Sequence, residues 1–348
     1  MKARKAQDAK NTLEAFDRDI EKRHMEGLWK AFAAPPSREP PTALEPCLWK
    51  WRDVYQDLLR AVDVVALGAH EERRVLKLVN PGMRGKKSTT QTIQMSFQIV
   101  GPGETARAHR HTIAAVRFVV KGQGAFTTVE GEKLEMEPGD LILTPGWTWH
   151  DHGNESAEPI VWIDGLDSPL VHYLGVGFFE RFFEERQPVT RPAGFSRLQA
   201  GPLRPVQSEA HGVLPYRYRG VDTLAALRAR RGDAGSPFDG VLMEYTNPST
   251  GGPTFPTLSC RVQMLRPGER TKAHRHTSSA CYHAVSGRGS TVVGGETFDW
   301  EQGDCFVIPP WYGHKHANAS RRDEAVLFSL SDSPMLEALG MHREEPLD

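Results

Sequence analysis

The sequence predicts an all-β protein made of two barrels of one kind, preceded by a helical extension. The chain has 348 residues, which suits two domains of ordinary size. Two stretches resemble each other at an offset of 165 residues, which indicates a duplicated domain. Each copy has closely spaced short runs of β-branched and aromatic residues bounded by Gly, Pro and Asn. Such runs, without helical patterns between them, are typical of a closed β-barrel or sandwich.

The duplication is visible by direct comparison. The segment PGETARAHRHTIAAVRFVVKGQG begins at Pro102, and PGERTKAHRHTSSACYHAVSGRG begins at Pro267. The match continues in EPGDLILTPGWTWHDHGN from Glu137 and EQGDCFVIPPWYGHKHAN from Glu301, where the offset falls to 164. We therefore expect two copies of one fold, each with its own version of the chemically important residues.

The two copies and their flanks divide the chain into four parts. Apolar residues at helical spacing predict a helix within 9–34, and the stretch from Trp51 predicts another. The charged, Pro-containing stretch after the first barrel links the barrels or packs between them. The predicted parts are the helical extension (1–60), the first barrel (61–175), the connecting segment (176–235) and the second barrel (236–348).

The composition excludes several classes of protein. Lys plus Arg total 43 and Asp plus Glu total 44, so no global charge favours nucleic acid or a membrane surface. The start has no apolar signal core and no later apolar run is long enough to span a bilayer, so we expect a cytoplasmic protein. The four cysteines have no CxxC spacing and are interpreted as reduced thiols.

Histidines at matching positions in both copies predict metal sites. In the first copy His109 and His111 are two residues apart, so they share one face of a strand, and a neighbouring strand could bring His150 to the same point. Three imidazoles with open coordination positions suit Fe(II), Mn(II) or Zn(II) and leave room for a substrate. The corresponding residues of the second copy are His274, His276 and His314.

These residues resemble the two motifs of the cupin superfamily, and the resemblance implies a jelly-roll β-barrel for each copy. The first motif begins G-x5-H-x-H, which fits Gly103 and His109, and the second fits the sequence around His150. The glutamate ligand that the first motif places further along is missing, because Ala115 or Val116 stands there. A neutral three-histidine site leaves more net charge on Fe(II), so it can accept an anionic bidentate substrate together with dioxygen.

At a finer level the chain resembles the gentisate 1,2-dioxygenase family, which includes salicylate and 1-hydroxy-2-naphthoate dioxygenases. The resemblance rests on AHRHT, TPGWTWHDHGN, DGLD and RRVLKLVNPG, and it covers both barrels. It implies Fe(II) on His109, His111 and His150, dioxygen as co-substrate, and a homotetramer. The ring would be cleaved between the carboxyl-bearing carbon and the adjacent hydroxylated carbon.

The substrate stays open among small aromatic carboxylates. Gentisate, which would give maleylpyruvate, is the first expectation. The alternatives are a salicylate with a nitro, amino or chloro group at position 5, and 1-hydroxy-2-naphthoate. Two rival functions are a zinc or manganese cupin isomerase, which would work without oxygen, and a bicupin binding or storage protein.

A carboxylate substrate needs cationic or amide partners, and arginine offers a bidentate fork. Arg117 lies six residues beyond His111, so equal parity on a strand allows it to face inward. Arg73 and Arg74 are adjacent, so only one can face the site. Arg74 is favoured because it shares parity with the apolar Leu76.

The resemblance adds three further residues to the predicted site. Gln98 would bind substrate, and its parity agrees with an inward direction on the strand before the histidines. His152 would be an acid/base or dioxygen-orienting group. Asp164 would be the acidic residue of the DGLD segment.

The second copy keeps the metal ligands but loses the anion anchors. We therefore expect its site to be able to hold a metal without offering the same partners to a carboxylate. In the alignment of the copies Arg117 becomes Tyr282, Asp164 becomes Ser329, and the pair Arg73-Arg74 falls opposite Asp239-Gly240.

Overall fold

The computed structural model describes residues 2–30, 37–68, 73–199 and 216–347. Residues 1–41 form one compact unit, and residues 42–348 form a second that contains both barrels. The first unit holds helix α1 (Lys2–Glu21) and a 3-10 turn at Leu28–Lys30. The helix predicted within 9–34 therefore starts earlier and ends at Glu21, and residues 31–34 lie outside the described ranges.

The second unit opens with a short strand and a helix. Strand β1 is Cys47–Trp49, and helix α2, Trp51–Val64, confirms the helix predicted from Trp51. Trp51 packs on Phe97 of the first barrel, with ring centroids 5.4 Å apart. Within the described ranges, no helix combines the length and the apolar character that crossing a bilayer requires.

Nine antiparallel strands of the first barrel, in two sheets, lie within residues 74–166. Their bounds are β2 Arg74–Lys77, β3 Gln94–Val100, β4 Thr105–His111, β5 Ala115–Lys121, β6 Ala125–Val129, β7 Glu132–Met136, β8 Leu141–Thr144, β9 His150–Asn154 and β10 Ile160–Leu166.

Two short strands of the segment between the barrels pair with strands of the first barrel. It contains α3 (Ser168–Leu174), β11 (Phe179–Arg181), α4 (Phe195–Gln199), β12 (Arg217–Tyr218) and α5 (Gly220–Ala229). Strand β11 pairs with β4, and β12 pairs with β8, so this segment does more than link the two copies.

The second barrel repeats the arrangement of the first. Its strands are β13 Val241–Glu244, β14 Ser259–Leu265, β15 His274–His276, β16 Ala280–Ser286, β17 Arg288–Val293, β18 Glu296–Glu301, β19 Cys305–Ile308, β20 His314–Asn318 and β21 Ala325–Ser331. The short helix α6 (Ser333–Ala338) follows, and β22 (Glu344–Pro346) then pairs with β15 as β11 pairs with β4.

Each barrel consists of a six-stranded and a five-stranded sheet. The six-stranded sheets have the orders β12-β8-β5-β10-β3-β2 and β1-β19-β16-β21-β14-β13. The five-stranded sheets have the orders β11-β4-β9-β6-β7 and β18-β17-β20-β15-β22.

The outer strands of the six-stranded sheets are exchanged between the two halves of the chain. Strand β1 precedes the first barrel but pairs with β19 of the second, whereas β12 precedes the second barrel but pairs with β8 of the first. Strand Cys47–Trp49, which lies within the predicted helical extension (1–60), thus pairs in the sheet of the second barrel. Local sequence patterns give no indication of a strand partner more than 250 residues away.

Two buried carboxylates hold these exchanged segments in place. Asp304 of the second barrel accepts a hydrogen bond from the Trp51 backbone N–H at 2.8 Å and pairs with Lys50 at 2.7 Å. Asp140 of the first barrel accepts one from the Gly220 N–H at 2.8 Å and pairs with Arg217 at 2.7 Å. Each carboxylate thus satisfies an N–H group at the start of a helix that would otherwise lack a partner.

The largest core lies between the barrels. Apolar side chains from both six-stranded sheets form one buried cluster, in which Phe118 and Phe328 stack with ring centroids 4.3 Å apart. Strand β3 illustrates the pattern, since Phe97 and Ile99 join this cluster while the alternating Gln98 faces the other way. A smaller apolar cluster fills the interior of each barrel.

His283 is a titratable group within this central core, and it gives the fold a pH dependence. Its ring packs against Phe118 at 5.6 Å, and burial lowers the pKa of His283 from 6.5 to about 4. The unfolded chain therefore binds the proton more readily than the folded chain, so this residue decreases stability as the pH falls from 6.5 towards 4.

We predict that His283→Gln weakens the loss of stability on acidification. The urea midpoint of the variant should fall less steeply than that of the native chain below pH 6.5, and the two curves should run parallel above it. Urea unfolding at several pH values measures this difference. Identical slopes in the acid range would show that His283 does not titrate on unfolding.

Candidate active site

Three histidines converge inside the first barrel because of the pairing between β4 and β9. His109 and His111 alternate on β4 and therefore point the same way, and His109 is the register partner of His150 on β9. A bulge between Ala106 and His109 inserts one extra residue into β4 just before the histidines. Bulges re-aim the side chains that follow them, which fits their position beside this cluster.

Hydrogen bonds fix the tautomer of all three rings. The Nδ1–H groups of His109, His111 and His150 donate to backbone carbonyls of Arg107, Ile113 and Thr148 at 2.7, 2.8 and 2.9 Å. A carbonyl can only accept, so each Nε2 carries a lone pair. The Nε2 atoms of His109 and His150 are buried and have no hydrogen-bond partner within the protein. Orienting the ring through its other nitrogen is the usual arrangement of a metal-binding histidine.

The cluster is compact and uncharged. Its candidate ligand atoms all lie within 4.8 Å of one another, and the ring centroids are 4.3 to 5.4 Å apart. Burial lowers the pKa of His109 to about 2 and that of His111 to about 4, and it lowers the pKa of His150 well below 6.5. All three imidazoles are therefore neutral near pH 7, which is the form that binds a metal ion. The donor set fits a divalent transition metal.

A tryptophan in an unusual backbone conformation secures the second ligand. Trp147 has φ +66°, and its N–H donates to the carbonyl of His111 at 2.6 Å. The Arg110 guanidinium lies 4.4 Å from the centre of the Trp147 ring and 4.5 Å from that of Trp149. Left-handed backbone at a large residue is uncommon and is often found at functional sites.

Arg117 is buried beside the histidines, as its parity predicted. It is 2% exposed, its Nη1 donates to Thr144 Oγ1 at 2.7 Å, and its Nε lies 3.3 Å from Asp164 Oδ1. Burial lowers the pKa of Arg117 to about 10, and Asp164 opposes this shift, so the guanidinium stays charged at neutral pH. Its charge also contributes to lowering the pKa values of His111, His150 and His152.

The structure overturns the preference for Arg74 over Arg73. Arg74 forms a bidentate ion pair with Glu104, at 2.6 and 2.7 Å, and donates to the Val65 carbonyl. Arg74 is the register partner of Ile99, so its side chain lies on the face of the sheet that packs between the barrels and not on the interior face. The parity argument failed because both faces of this sheet are buried, so an apolar neighbour does not mark the barrel interior. Arg73 is the arginine near the cluster, since its charge lowers the pKa values of His109, His111 and His152.

Gln98 also faces the barrel interior. It is 2% exposed, and its Nε2 has no hydrogen-bond partner within the protein. Its register partner is Trp162, which lies beside His152 with ring centroids 5.3 Å apart. The Gln98 amide is thus a buried donor that can bind an oxygen atom of a ligand.

His152 is adjacent to the cluster, two residues beyond His150 on the same strand. Its Nδ1 is 2.8 Å from Thr127 Oγ1, and the Thr127 hydroxyl can donate to Met136 Sδ at 3.3 Å. In this arrangement His152 donates through Nδ1–H and keeps a lone pair on the buried, unpartnered Nε2. Burial lowers the pKa of His152 well below 6.5, so it is a neutral acceptor.

Three site residues were missed from the sequence. Ser96 Oγ is buried without a hydrogen-bond partner, and Ser96 is the register partner of Asp164. Thr144 holds Arg117 and Thr127 orients His152. Ser96 could have been found from its parity with Gln98, but the two threonines act across strands whose register the sequence does not specify.

The second barrel reproduces the histidine cluster. His274, His276 and His314 also offer ligand atoms within 4.8 Å of one another, and His274 is the register partner of His314. Trp311 repeats the left-handed conformation, with φ +67° and an N–H that donates to the His276 carbonyl at 2.7 Å. Both predicted metal clusters therefore assemble in the fold.

Comparison with known proteins agrees with this fold and site. The family profile of the cupin domain matches residues 96–166 and 261–331. The chain is 45% identical to 5-aminosalicylate 1,2-dioxygenase of Comamonas sp. over 96% of this chain and 90% of the relative. It is 42% identical to 1-hydroxy-2-naphthoate 1,2-dioxygenase of Nocardioides sp. strain KP7, over 96% and 88%. The salicylate 1,2-dioxygenase of Pseudoaminobacter salicylatoxidans, solved as an adduct with gentisate, matches with 34% identity and a TM-score of 0.88, covering 97% of this chain and 94% of that one.

We predict that His111→Ala removes one metal ion per chain after anaerobic reconstitution with Fe(II), because a three-ligand site loses a third of its protein donors. Metal analysis by mass spectrometry measures the loss. The exposed His172 on α3 provides the control, and His172→Ala should keep the full metal content. Unchanged metal content in His111→Ala would refute the site in the first barrel.

Proposed function

Because the chain belongs to the bicupin family of gentisate-type ring-cleaving 1,2-dioxygenases, we propose that its first barrel uses dioxygen to cleave gentisate to maleylpyruvate. The scissile bond would join the carboxyl-bearing carbon to the adjacent hydroxylated carbon. One observation carries the proposal: a buried, neutral cluster of three histidines lies near Arg73 and Arg117 inside the first barrel. That combination suits a metal ion and an aromatic anion together.

Fe(II) is the metal that we propose for His109, His111 and His150. Three neutral nitrogen donors leave the full charge of the ion for other ligands, and they leave coordination positions open. When bound, the iron would bring the substrate and dioxygen together and pass electron density between them. The chain itself supplies position and charge.

Arg117, Arg73 and Gln98 are proposed to hold the substrate carboxylate. Burying a carboxylate without partners is costly, and an arginine fork offsets that cost with charge-assisted hydrogen bonds. The Asp164 carboxylate balances the Arg117 charge before substrate arrives and fixes the direction of its guanidinium. Asp164 is itself held by the Trp162 indole N–H at 2.9 Å, so the pair is rigid.

His152 is proposed to accept a proton or a hydrogen bond from the substrate hydroxyl or from a reduced oxygen atom. Its lone pair on Nε2 and its low pKa make it an acceptor that is unprotonated in the resting protein. Thr127 fixes the ring from the opposite side, which limits its freedom during the reaction. Acid/base groups in enzymes require this kind of fixed geometry.

The alternative substrate with most support is 5-aminosalicylate, because the Comamonas relative named for it is 45% identical to this chain. Gentisate and 5-aminosalicylate share the carboxyl and ortho-hydroxyl groups and differ only at position 5. Other 5-substituted salicylates and 1-hydroxy-2-naphthoate stay as further candidates. Oxygen uptake with this panel, with mass spectrometry of the products, tests the proposal. Conversion of these compounds without oxygen consumption would favour an isomerase, and binding without conversion would favour a binding protein.

A homotetramer and a cytoplasmic location stay predictions. Exposed apolar side chains on and after α3 support contact with further copies of the chain. They are Tyr173, Leu174, Val176, Phe178, Phe179 and Phe183.

We predict that Arg117→Ala lowers kcat/KM by about two orders of magnitude or more. Losing one partner of a buried charge pair costs roughly 2–5 kcal/mol, and each 1.4 kcal/mol corresponds to about tenfold. Iron content should stay normal because Arg117 is not a ligand. Arg117→Lys should recover only part of the activity, since lysine keeps the charge but not the fork. Steady-state kinetics with metal analysis measures both variants.

The Asp164 pairing supplies the control for this variant. Arg117→Ala alone leaves a buried carboxylate without its cation, so the variant could lose activity through damage to the fold. In the double variant Arg117→Ala/Asp164→Asn the unpaired charge is removed, and thermal stability should recover while activity stays low. Recovery of activity in the double variant would mean that Arg117 only balances Asp164.

We predict that the neighbouring arginines give opposite results. Arg73→Ala should raise KM for the aromatic acid by at least about tenfold with little change in melting temperature, because its charge lies at the site. Arg74→Ala should lower the melting temperature with little change in KM, because it breaks the buried pair with Glu104. Kinetics and thermal unfolding of both variants test this contrast, and the reverse pattern would restore Arg74 as the substrate-facing residue.

A further inference from the structure

We infer that two carboxylates, Asp167 and Glu130, position and polarise the proposed metal ligands His111 and His150 through the peptide group behind each ring. Each carboxylate accepts the N–H of a peptide group whose carbonyl oxygen accepts the Nδ1–H of a histidine. Each such pair of hydrogen bonds forms a relay from a carboxylate to a ring. The inference rests on metal binding by the first cluster, and it does not depend on the substrate proposed above.

The relay to His111 runs through the peptide group that joins Ile113 to Ala114. Its carbonyl accepts the hydrogen bond from His111 Nδ1 at 2.8 Å, and its N–H donates to Asp167 Oδ1 at 2.9 Å. Asp167 is 4% exposed, and its Oδ2 accepts a hydrogen bond from the Thr257 hydroxyl at 2.8 Å. Burial raises the pKa of Asp167, whereas these two hydrogen bonds lower it. Both carboxylate oxygens act as acceptors, which favours the ionised form.

The relay to His150 runs through the peptide group that joins Thr148 to Trp149. Its carbonyl accepts the hydrogen bond from His150 Nδ1 at 2.9 Å, and its N–H donates to Glu130 Oε1 at 2.6 Å. The N–H of the peptide group behind His109 donates instead to a backbone carbonyl. Two of the three rings in the first cluster are therefore backed by a carboxylate.

The backbone of Glu130 supports a role for its side chain. Glu130 has φ +48°, a conformation that is unfavourable for a residue with a Cβ atom. The equivalent residue of the second barrel is Gly294, since both residues donate their N–H to the carbonyl of the residue before the third histidine. Glycine adopts this conformation without strain, so a glutamate here keeps its carboxylate at a cost to the backbone. Strained residues of this kind cluster at functional sites.

The charge of each carboxylate acts on the ring at the other end of its relay. Hydrogen bonds in a chain polarise one another, so an anion at the peptide N–H makes the carbonyl of the same peptide group a stronger acceptor. That carbonyl in turn attracts the Nδ1–H and makes Nε2 a more basic ligand, as a carboxylate bound directly to a ligating histidine does. The same hydrogen bonds fix the orientation of the ring.

The second barrel takes part in the first of these relays. Thr257, which holds Asp167, lies in the loop before β14 of the second barrel. The repeat contains the reciprocal contact, in which Asp332 accepts the Ser279 N–H at 2.8 Å and the hydroxyl of Thr92, before β3 of the first barrel, at 2.5 Å. The peptide group behind the second histidine of each cluster is thus tied to the opposite barrel.

Titration with Co(II), whose absorption reports its ligands, tests the inference in the His276→Ala background, where only the first cluster keeps three histidines. Asp167→Asn and Glu130→Gln preserve the shape of each side chain and one acceptor oxygen, and they remove the charge. Each should raise the dissociation constant by about tenfold, the lower end of the range for partners of ligating histidines, because a peptide group intervenes. Thr257→Val should raise it less than Asp167→Asn, and Thr257→Ser, which keeps the hydroxyl, should leave it unchanged.

Asp332→Asn is the matched control for Asp167→Asn. Asp332 makes the equivalent hydrogen bonds and is also 4% exposed, but it lies behind the second cluster. The control should change the melting temperature by a similar amount and leave the Co(II) dissociation constant unchanged. An effect that came only from a weakened fold would appear in both variants.

An unchanged dissociation constant in either Asp167→Asn or Glu130→Gln would overturn the inference, and so would an equal rise in Asp332→Asn. If Asp167→Asn does not fold, Thr257→Val against Thr257→Ser tests the same relay, and equal affinities in that pair would overturn it. Absence of Co(II) binding in the His276→Ala parent would refute the metal site and the inference with it. Normal Co(II) affinities without turnover of gentisate would count against the proposed substrate alone.

Discussion

Both faces of each six-stranded sheet are buried, one inside its own barrel and the other against the neighbouring barrel. This constraint determines where each type of side chain can lie. On β3, Phe97 and Ile99 supply the core between the barrels, so the alternating Ser96 and Gln98 must face the interior. The interior of the barrel can then hold buried polar groups, because the apolar side chains on the opposite face of the same sheet pack between the barrels and keep the sheet rigid.

The sequence was most informative where chemistry repeats at a fixed spacing. Both histidine clusters, and the inward direction of Arg117 and Gln98, follow from the repeat and from strand parity, and the structure brings them together. Strand parity predicted the wrong direction for the Arg74 side chain. Both faces of this sheet are buried, so the apolar neighbours of Arg74 do not tell which face lies inside the barrel.

The two barrels show how one geometry can be given different electrostatic properties. The left-handed tryptophan and the arginine stacked on it recur in both copies, and in both copies backbone carbonyls orient the second and third rings, so the positions of the histidines are shared. The charges around them are not shared, because Arg117 and Asp164 give way to Tyr282 and Ser329. Electrostatic fields at a site depend on a few buried charges, and such charges can change while the backbone framework stays the same.

The exchange of β1 and β12 between the halves has a consequence for the inheritance of this gene. A deletion that removed the second barrel would leave β1 without its partner β19, and it would leave Lys50 and the start of α2 without Asp304. In the same way, a deletion of the first barrel would leave β12 without its partner β8, and it would leave the start of α5 without Asp140. Loss of either barrel therefore leaves one short strand and the start of one helix without their partners, although the remaining barrel keeps its own edge strand. An unpaired strand and an uncapped helix start are unfavourable in any folded chain, so this arrangement works against deletion of either copy, whatever chemistry each performs.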